Sequence, residues 1–114
     1  MIALTLPVPP STNALFKNVA GRGRVKTVEY SRWLKHADAA FYCARPKPIS
    51  GPVEITILCE ENNRRDLGNY EKSVTDWLVR CDLIDGDRCK VVRKITLAWH
   101  AGPGCSVVVR SCAR

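Results

Sequence analysis

The sequence predicts a small single α+β domain, residues 1–114, with a mixed sheet of about four strands and two helices in the order β-α-β-α-β-β. Three observations carry this expectation. A chain of 114 residues, 46% hydrophobic and 25% charged, supports one packed core and is too short for two. The segment VEITILC (Val53–Cys59) sets Val53, Ile55, Ile57 and Cys59 on one face and Glu54 and Thr56 on the other, the period of two that marks a half-buried strand. Tyr30, Trp33, Leu34, Ala37 and Phe41 recur at steps of three and four, the period of a helix with one apolar stripe.

The elements follow in order. Residues 2–6, IALTL, suit a short strand, and LPVPPSTN ends it, because adjacent prolines lack backbone donors and Ser11, Thr12 and Asn13 favour turns. From Ala14 to Lys26 the chain carries GRGR and no sustained period, so a long irregular basic loop is expected, either functional or mobile. The first helix should run from Val28 to about Ala44, with Pro46 and Pro48 closing it. After the Val53–Cys59 strand, ENNRR reads as a turn. Leu67, Tyr70, Val74, Trp77 and Leu78 then form the stripe of a second helix ending near Arg80, with Asp66 placed as its N-cap. The loop CDLIDGD follows. Val91–Trp99 and Cys105–Arg110 read as two strands joined by HAGPG, which suggests an antiparallel hairpin. Internal repeats, low-complexity tracts and linkers are absent from the sequence.

Charge is the first functional hint. The chain holds 18 Lys and Arg against 11 Asp and Glu, a net +7 that favours polyanionic partners. Residues 1–50 carry eight basic residues and only Glu29 and Asp38, a surplus of +6. Eight of the acids, Glu60 to Asp87, fall within 28 residues. They suit either a solvated acidic face or the ligand set of a metal ion beside a nucleic-acid surface.

The six cysteines form no CxxC pair, and only His36 and His100 could add to them, so the expectation is buried free thiols acting as small hydrophobes. A thiolate zinc module is the weaker alternative. The start, MIALTLPVPPSTN, lacks the basic and apolar regions of a signal peptide, and no apolar run approaches the roughly 18 residues of a membrane helix. A cytoplasmic location without membrane association is expected.

The most informative stretch is Asn62 to Val92, where basic and acidic groups alternate around a helix start. Asp66 could simply cap that helix, at a value of about 1 kcal/mol. Alternatively, Asp66 and Asp87 could hold a hard divalent cation through oxygen ligands while Lys72 neutralises a phosphate oxygen, the equipment of phosphodiester hydrolysis.

Four blocks in order bear on that choice: LPVPPSTNALFKN, GRGRVKTVEYSRW, RRDLGNYEKSVTDWLV and LIDGDRCKVV. With these the chain resembles, over nearly its whole length, the RusA-type Holliday junction resolvases, small dimeric endonucleases of phages and prophages. The resemblance implies a homodimer in a bacterial or phage-infected cytoplasm that binds branched DNA, especially four-way junctions, and cleaves it symmetrically with magnesium, manganese being a possible substitute. It implies catalytic roles for Asp66, Lys72 and Asp87, with Asn69 in the same motif. It further implies that the first loop and the basic stretch lie near DNA, so that Asn13, Lys17, Arg22, Arg24 and Lys26 contact it, as do Arg64 and Arg65 beside the metal. Phe16, in the basic loop, could wedge between bases at a branch point, whereas Trp33, Phe41, Trp77 and Trp99 fall on apolar faces and belong to the core.

Two positions depart from the family pattern. Gly68 stands where the family's RRDLDN has its second aspartate, and Gly86 stands where the family's Asp-Asp pair has its first. Asp85 and Glu71 are candidate replacement ligands, whereas Asp76, ten residues and nearly three helical turns past Asp66, is the weakest candidate and is expected to face the basic surface or a partner subunit. Loss of one carboxylate should lower metal affinity and rate, which leaves open a protein that binds junctions and cuts them poorly or not at all.

Overall fold

Val53, Ile55, Ile57 and Cys59 are completely buried, because the face of their strand that carries them packs into the core shared with both helices, while neighbours on both sides pair its backbone. The computed structural model describes residues 1–112. Its strands are β1 (Ile2–Leu6), β2 (Phe16–Val19), β3 (Gly23–Lys26), β4 (Val53–Glu60), β5 (Val92–His100) and β6 (Cys105–Ser111). The helices are α1 (Val28–Ala44) and α2 (Glu71–Arg80). A four-stranded mixed sheet has the order β1-β6-β4-β5, with β4 and β5 parallel and the other pairs antiparallel. The α+β expectation and the order of the principal elements hold.

The expected hairpin between the last two strands does not form, because β4 lies between β5 and β6. The parallel β4–β5 pair is reached through α2, the crossover that parallel strands require. The HAGPG segment then steps across the end of β4. There the Gly104 N–H donates to Glu60 Oε1 at 2.8 Å and the Glu60 N–H donates to Gly104 O at 2.9 Å. Gly104 has φ +74°, and a Cβ there would meet the Leu6 carbonyl oxygen at 2.7 Å, so this crossing needs glycine.

The Ala14–Lys26 stretch is not an irregular loop. It folds into the β2–β3 hairpin, with Phe16 opposite Lys26 and Asn18 opposite Arg24. The hydrophobic pattern missed it because both strands are short and largely exposed. The turn relies instead on Gly21 at φ +77° and Gly23 at φ +74°, conformations open to residues without a Cβ.

Both helices contribute to one core, where the rings of Trp33 and Trp77 meet edge-on at 6.4 Å between centroids. Asp38 of α1 clasps α2 by accepting from Trp77 Nε1 at 3.0 Å and Arg80 Nη2 at 2.8 Å. Thr27 caps α1 by accepting the Tyr30 N–H and also donates to Ala14 O at 2.6 Å, anchoring the hairpin to the helix start. Helix α2 begins later than expected. A 3-10 turn, Leu67–Tyr70, precedes it, and Asp66 occupies that turn's N-cap position without a side-chain capping bond.

The four tryptophan and phenylalanine positions expected in the core are there: Trp33 and Trp77 are buried, and Phe41 and Trp99 are partly buried against the core, on Trp77 and Tyr70 respectively. The cysteines divide. Cys59 and Cys105 are buried opposite one another on β4 and β6, Sγ to Sγ 3.8 Å, whereas Cys43 and Cys89 are exposed, contrary to the expectation of buried thiols. Contact with Cys59, together with burial, holds the Cys105 thiol protonated, and burial pushes the Cys81 thiol up to about 11.

Candidate nucleic-acid interface

The β2–β3 hairpin brings together the basic residues of the first half of the chain. Lys17, Arg22, Arg24 and Lys26 are all exposed on it. Asn13, Phe16, Lys17 and Arg24 border one open depression of about 230 Å³, together with Thr12 and Asn18. Phe16 is held rather than free: its ring meets that of Tyr30 edge-on at 5.6 Å, and the Arg24 guanidinium lies 4.0 Å from its centroid.

A hydrogen bond joins this surface to the 3-10 turn that precedes α2. Thr12, in the 3-10 turn Thr12–Ala14, donates from Oγ1 to Asn69 O at 3.0 Å. The Asn69 N–H in turn donates to Asp66 O at 3.1 Å, so Asn13, Asn69 and the Asp66 turn form one neighbourhood. Asp66 and Gly68 are exposed, and nothing lies within 4 Å of where a Gly68 Cβ would be.

The two arginines before Asp66 differ. Arg64 is exposed, its N–H held by Asn62 Oδ1 at 2.9 Å in a side-chain-closed turn. Arg65 is half-buried, donates from Nη1 to Pro9 O at 3.2 Å and lies 5.8 Å from the centre of the Tyr70 ring. Part of its function is therefore to tie the proline loop to the α2 start.

Lys72 is exposed on α2, with Nζ 3.2 Å from Asp76 Oδ1 one turn on. The hydrogen bond and charge of Asp76 raise the lysine pKa, with smaller contributions from the charges of Asp87 and Glu71. Lys72 and Asp87 therefore share an electrostatic neighbourhood. Asp85 points elsewhere, accepting the Gly51 N–H on Oδ2 at 2.8 Å and bracing the segment between α1 and β4. Among the described residues, no three His, Cys, Asp or Glu side chains gather closely enough to hold one metal ion. Asp66 and Asp87 are each exposed hard oxygen donors, and one or two carboxylates beside substrate phosphates are what Mg²⁺ ordinarily takes from a protein. Each of these two carboxylates has the donor chemistry that suits magnesium, whereas Asp85 is engaged by the Gly51 N–H.

Sequence reasoning missed three features. The Lys72–Asp76 pair was available as an i,i+4 spacing. Tyr30, whose hydroxyl pKa is raised by burial and then by the Asp76 charge, gave no separate signal within the apolar stripe. A second cleft, of about 360 Å³, lies between Pro7–Pro10, α1 and the segment after β4, and Arg65 belongs to its wall. No helix among the described residues is long and apolar enough to cross a membrane. No family model and no curated protein matches this chain.

Proposed function

We propose that this protein binds branched DNA as a homodimer, with four-way junctions as its main substrate, and cleaves it with magnesium held by Asp66 and Asp87. The observation that carries the reading is the Thr12–Asn69 hydrogen bond, which sets the exposed basic hairpin beside the turn bearing Asp66. The cationic surface and the exposed Asp66 carboxylate thus adjoin, as phosphodiester chemistry requires. A two-fold junction calls for a second copy of the chain, since each copy has one Asp66 and one Asp87.

Arg22, Arg24, Lys17 and Lys26 hold phosphates and set register without reading bases. Asn13 and Asn69 contact the backbone from the two joined turns, and Arg64, exposed two residues before Asp66, does the same. Phe16 borders the strand at the branch point once Arg24 swings from its ring to a phosphate. Lys72 stays cationic at neutral pH and offsets charge that develops on a phosphate oxygen. Magnesium, when bound, supplies Lewis acidity and an activated water. A cytoplasmic protein of bacterial or phage origin accords with the resemblance in the four sequence blocks.

A second reading, junction binding with little or no cleavage, is favoured by specific observations. Gly68 and Gly86 provide no carboxylate, and Asp85 is engaged by the Gly51 N–H. A labelled four-way junction incubated with and without magnesium separates the two. Paired, symmetric nicks that need the metal support cleavage, and binding without nicks supports the second reading. Failure to bind junctions would contradict both.

A further inference from the structure

Of the residues bordering the cleft at Pro9, Glu29, Arg32, His36, Glu60 and Arg65, the contacts described so far engage Arg65 with Pro9 and one carboxylate oxygen of Glu60 with the Gly104 N–H, and leave Glu29, Arg32 and His36 without a role. Its volume, about 360 Å³, falls in the range of roughly 300–1,000 Å³ typical of small-ligand sites. Its walls are braced. Trp33 Nε1 donates to Pro7 O at 2.8 Å, Arg65 Nη1 donates to Pro9 O, and Pro9 and Pro10 are buried. Arg32 and His36 stand one turn apart on the exposed side of α1, with no ion pair among the described residues. Across the cleft Arg65 directly precedes Asp66 in the chain.

The lining mixes two guanidinium groups and an imidazole with two carboxylates. A bare phosphate gains little there, since the carboxylates oppose it. A nucleotide has both kinds of partner: a phosphate and base acceptors for the arginines and His36, and base N–H donors for Glu29 and for Oε2 of Glu60, whose Oε1 accepts the Gly104 N–H. We infer that this cleft receives one unpaired nucleotide of the branched DNA, taken out of the stack beside the Asp66 turn. The inference rests on the branched-DNA reading and adds a second, nucleotide-specific contact to the phosphate-gripping hairpin.

Four-way junctions carrying 2-aminopurine at successive positions around the branch test it, since the probe brightens when unstacked. The protein should brighten one position, or one symmetry-related set, much more than its neighbours. Arg32→Ala and His36→Ala should each abolish that signal while weakening junction binding by less than about tenfold. Lys35→Ala, an equal loss of charge on the exposed side of α1 outside the cleft, should leave it unchanged. Junction binding with no position-specific brightening, or brightening insensitive to Arg32 and His36, would overturn the nucleotide site while leaving the branched-DNA reading intact. Absence of junction binding would overturn both.

Discussion

Lys72 Nζ lies 3.2 Å from Asp76 Oδ1, so the lysine expected to face phosphate is, in the free protein, partnered by a carboxylate on its own helix. The pair is exposed, with the lysine side chain 55% accessible, and Lys precedes Asp, the weaker orientation for an i,i+4 pair. Asp76→Asn should therefore cost no more than about 0.5 kcal/mol. The lysine pKa is raised in the folded protein. The pair's stabilisation is thus fully present below the unfolded lysine value of about 10.4 and is lost as pH rises through the higher folded value. Thermal melts of parent and Asp76→Asn across pH 8 to 12 should converge at the alkaline end.

Gly68→Asp should fold normally. The position is open, its φ is not positive, and an acid beside an N-terminal turn is electrostatically favourable, so stability should be unchanged or raised by up to about 1 kcal/mol. Magnesium-dependent junction cleavage should increase. Asp66→Asn and Asp87→Asn should remove whatever cleavage the parent has, while binding is kept or tightened because each loses a negative charge facing phosphate. Gel assays of the three variants on one junction check this.

Arg24→Ala should weaken junction binding about equally for all sequences and reduce the slope of log affinity against log salt by about one. It also uncovers the ring face of Phe16 that the guanidinium covers, while the packing of Phe16 on Tyr30 and the core remains. Isotherms at several salt concentrations read both affinity and slope, and an unchanged slope would remove Arg24 from the phosphate contacts.

Gly104→Ala should be among the most damaging single-methyl changes. It combines a positive φ with a Cβ placed 2.7 Å from the Leu6 carbonyl oxygen, at the point where the chain crosses the end of β4. A loss of about 1–3 kcal/mol is expected from the strain alone, read as a lower urea midpoint.

The principal sheet and both helices were legible because their side chains alternate or recur with burial. Ile2, Leu4 and Leu6 read as β1, and the Tyr30–Trp33–Leu34–Ala37 stripe gave α1 to the residue. Pairing was not legible. Nothing in HAGPG shows that a third strand lies between β5 and β6, since a short glycine-containing connection suits a hairpin equally well. The β2–β3 hairpin escaped because it buries too little to leave a period of two. At the candidate site, the residues drawn together by the Thr12–Asn69 bond came from segments separated by 57 positions, a proximity that spacing cannot express. The Asp85 bond to Gly51 belongs to the same class, for it depends on where the α1–β4 segment returns.

Branched-DNA recognition is tested most directly by a competition titration in which a labelled four-way junction, bound to the protein at physiological salt, is challenged with unlabelled junction and with linear duplex of the same sequence. The account predicts displacement by junction at far lower concentration than by duplex, with junction affinity falling steeply as salt rises. Equal displacement by the two competitors, or an affinity insensitive to salt, would contradict it.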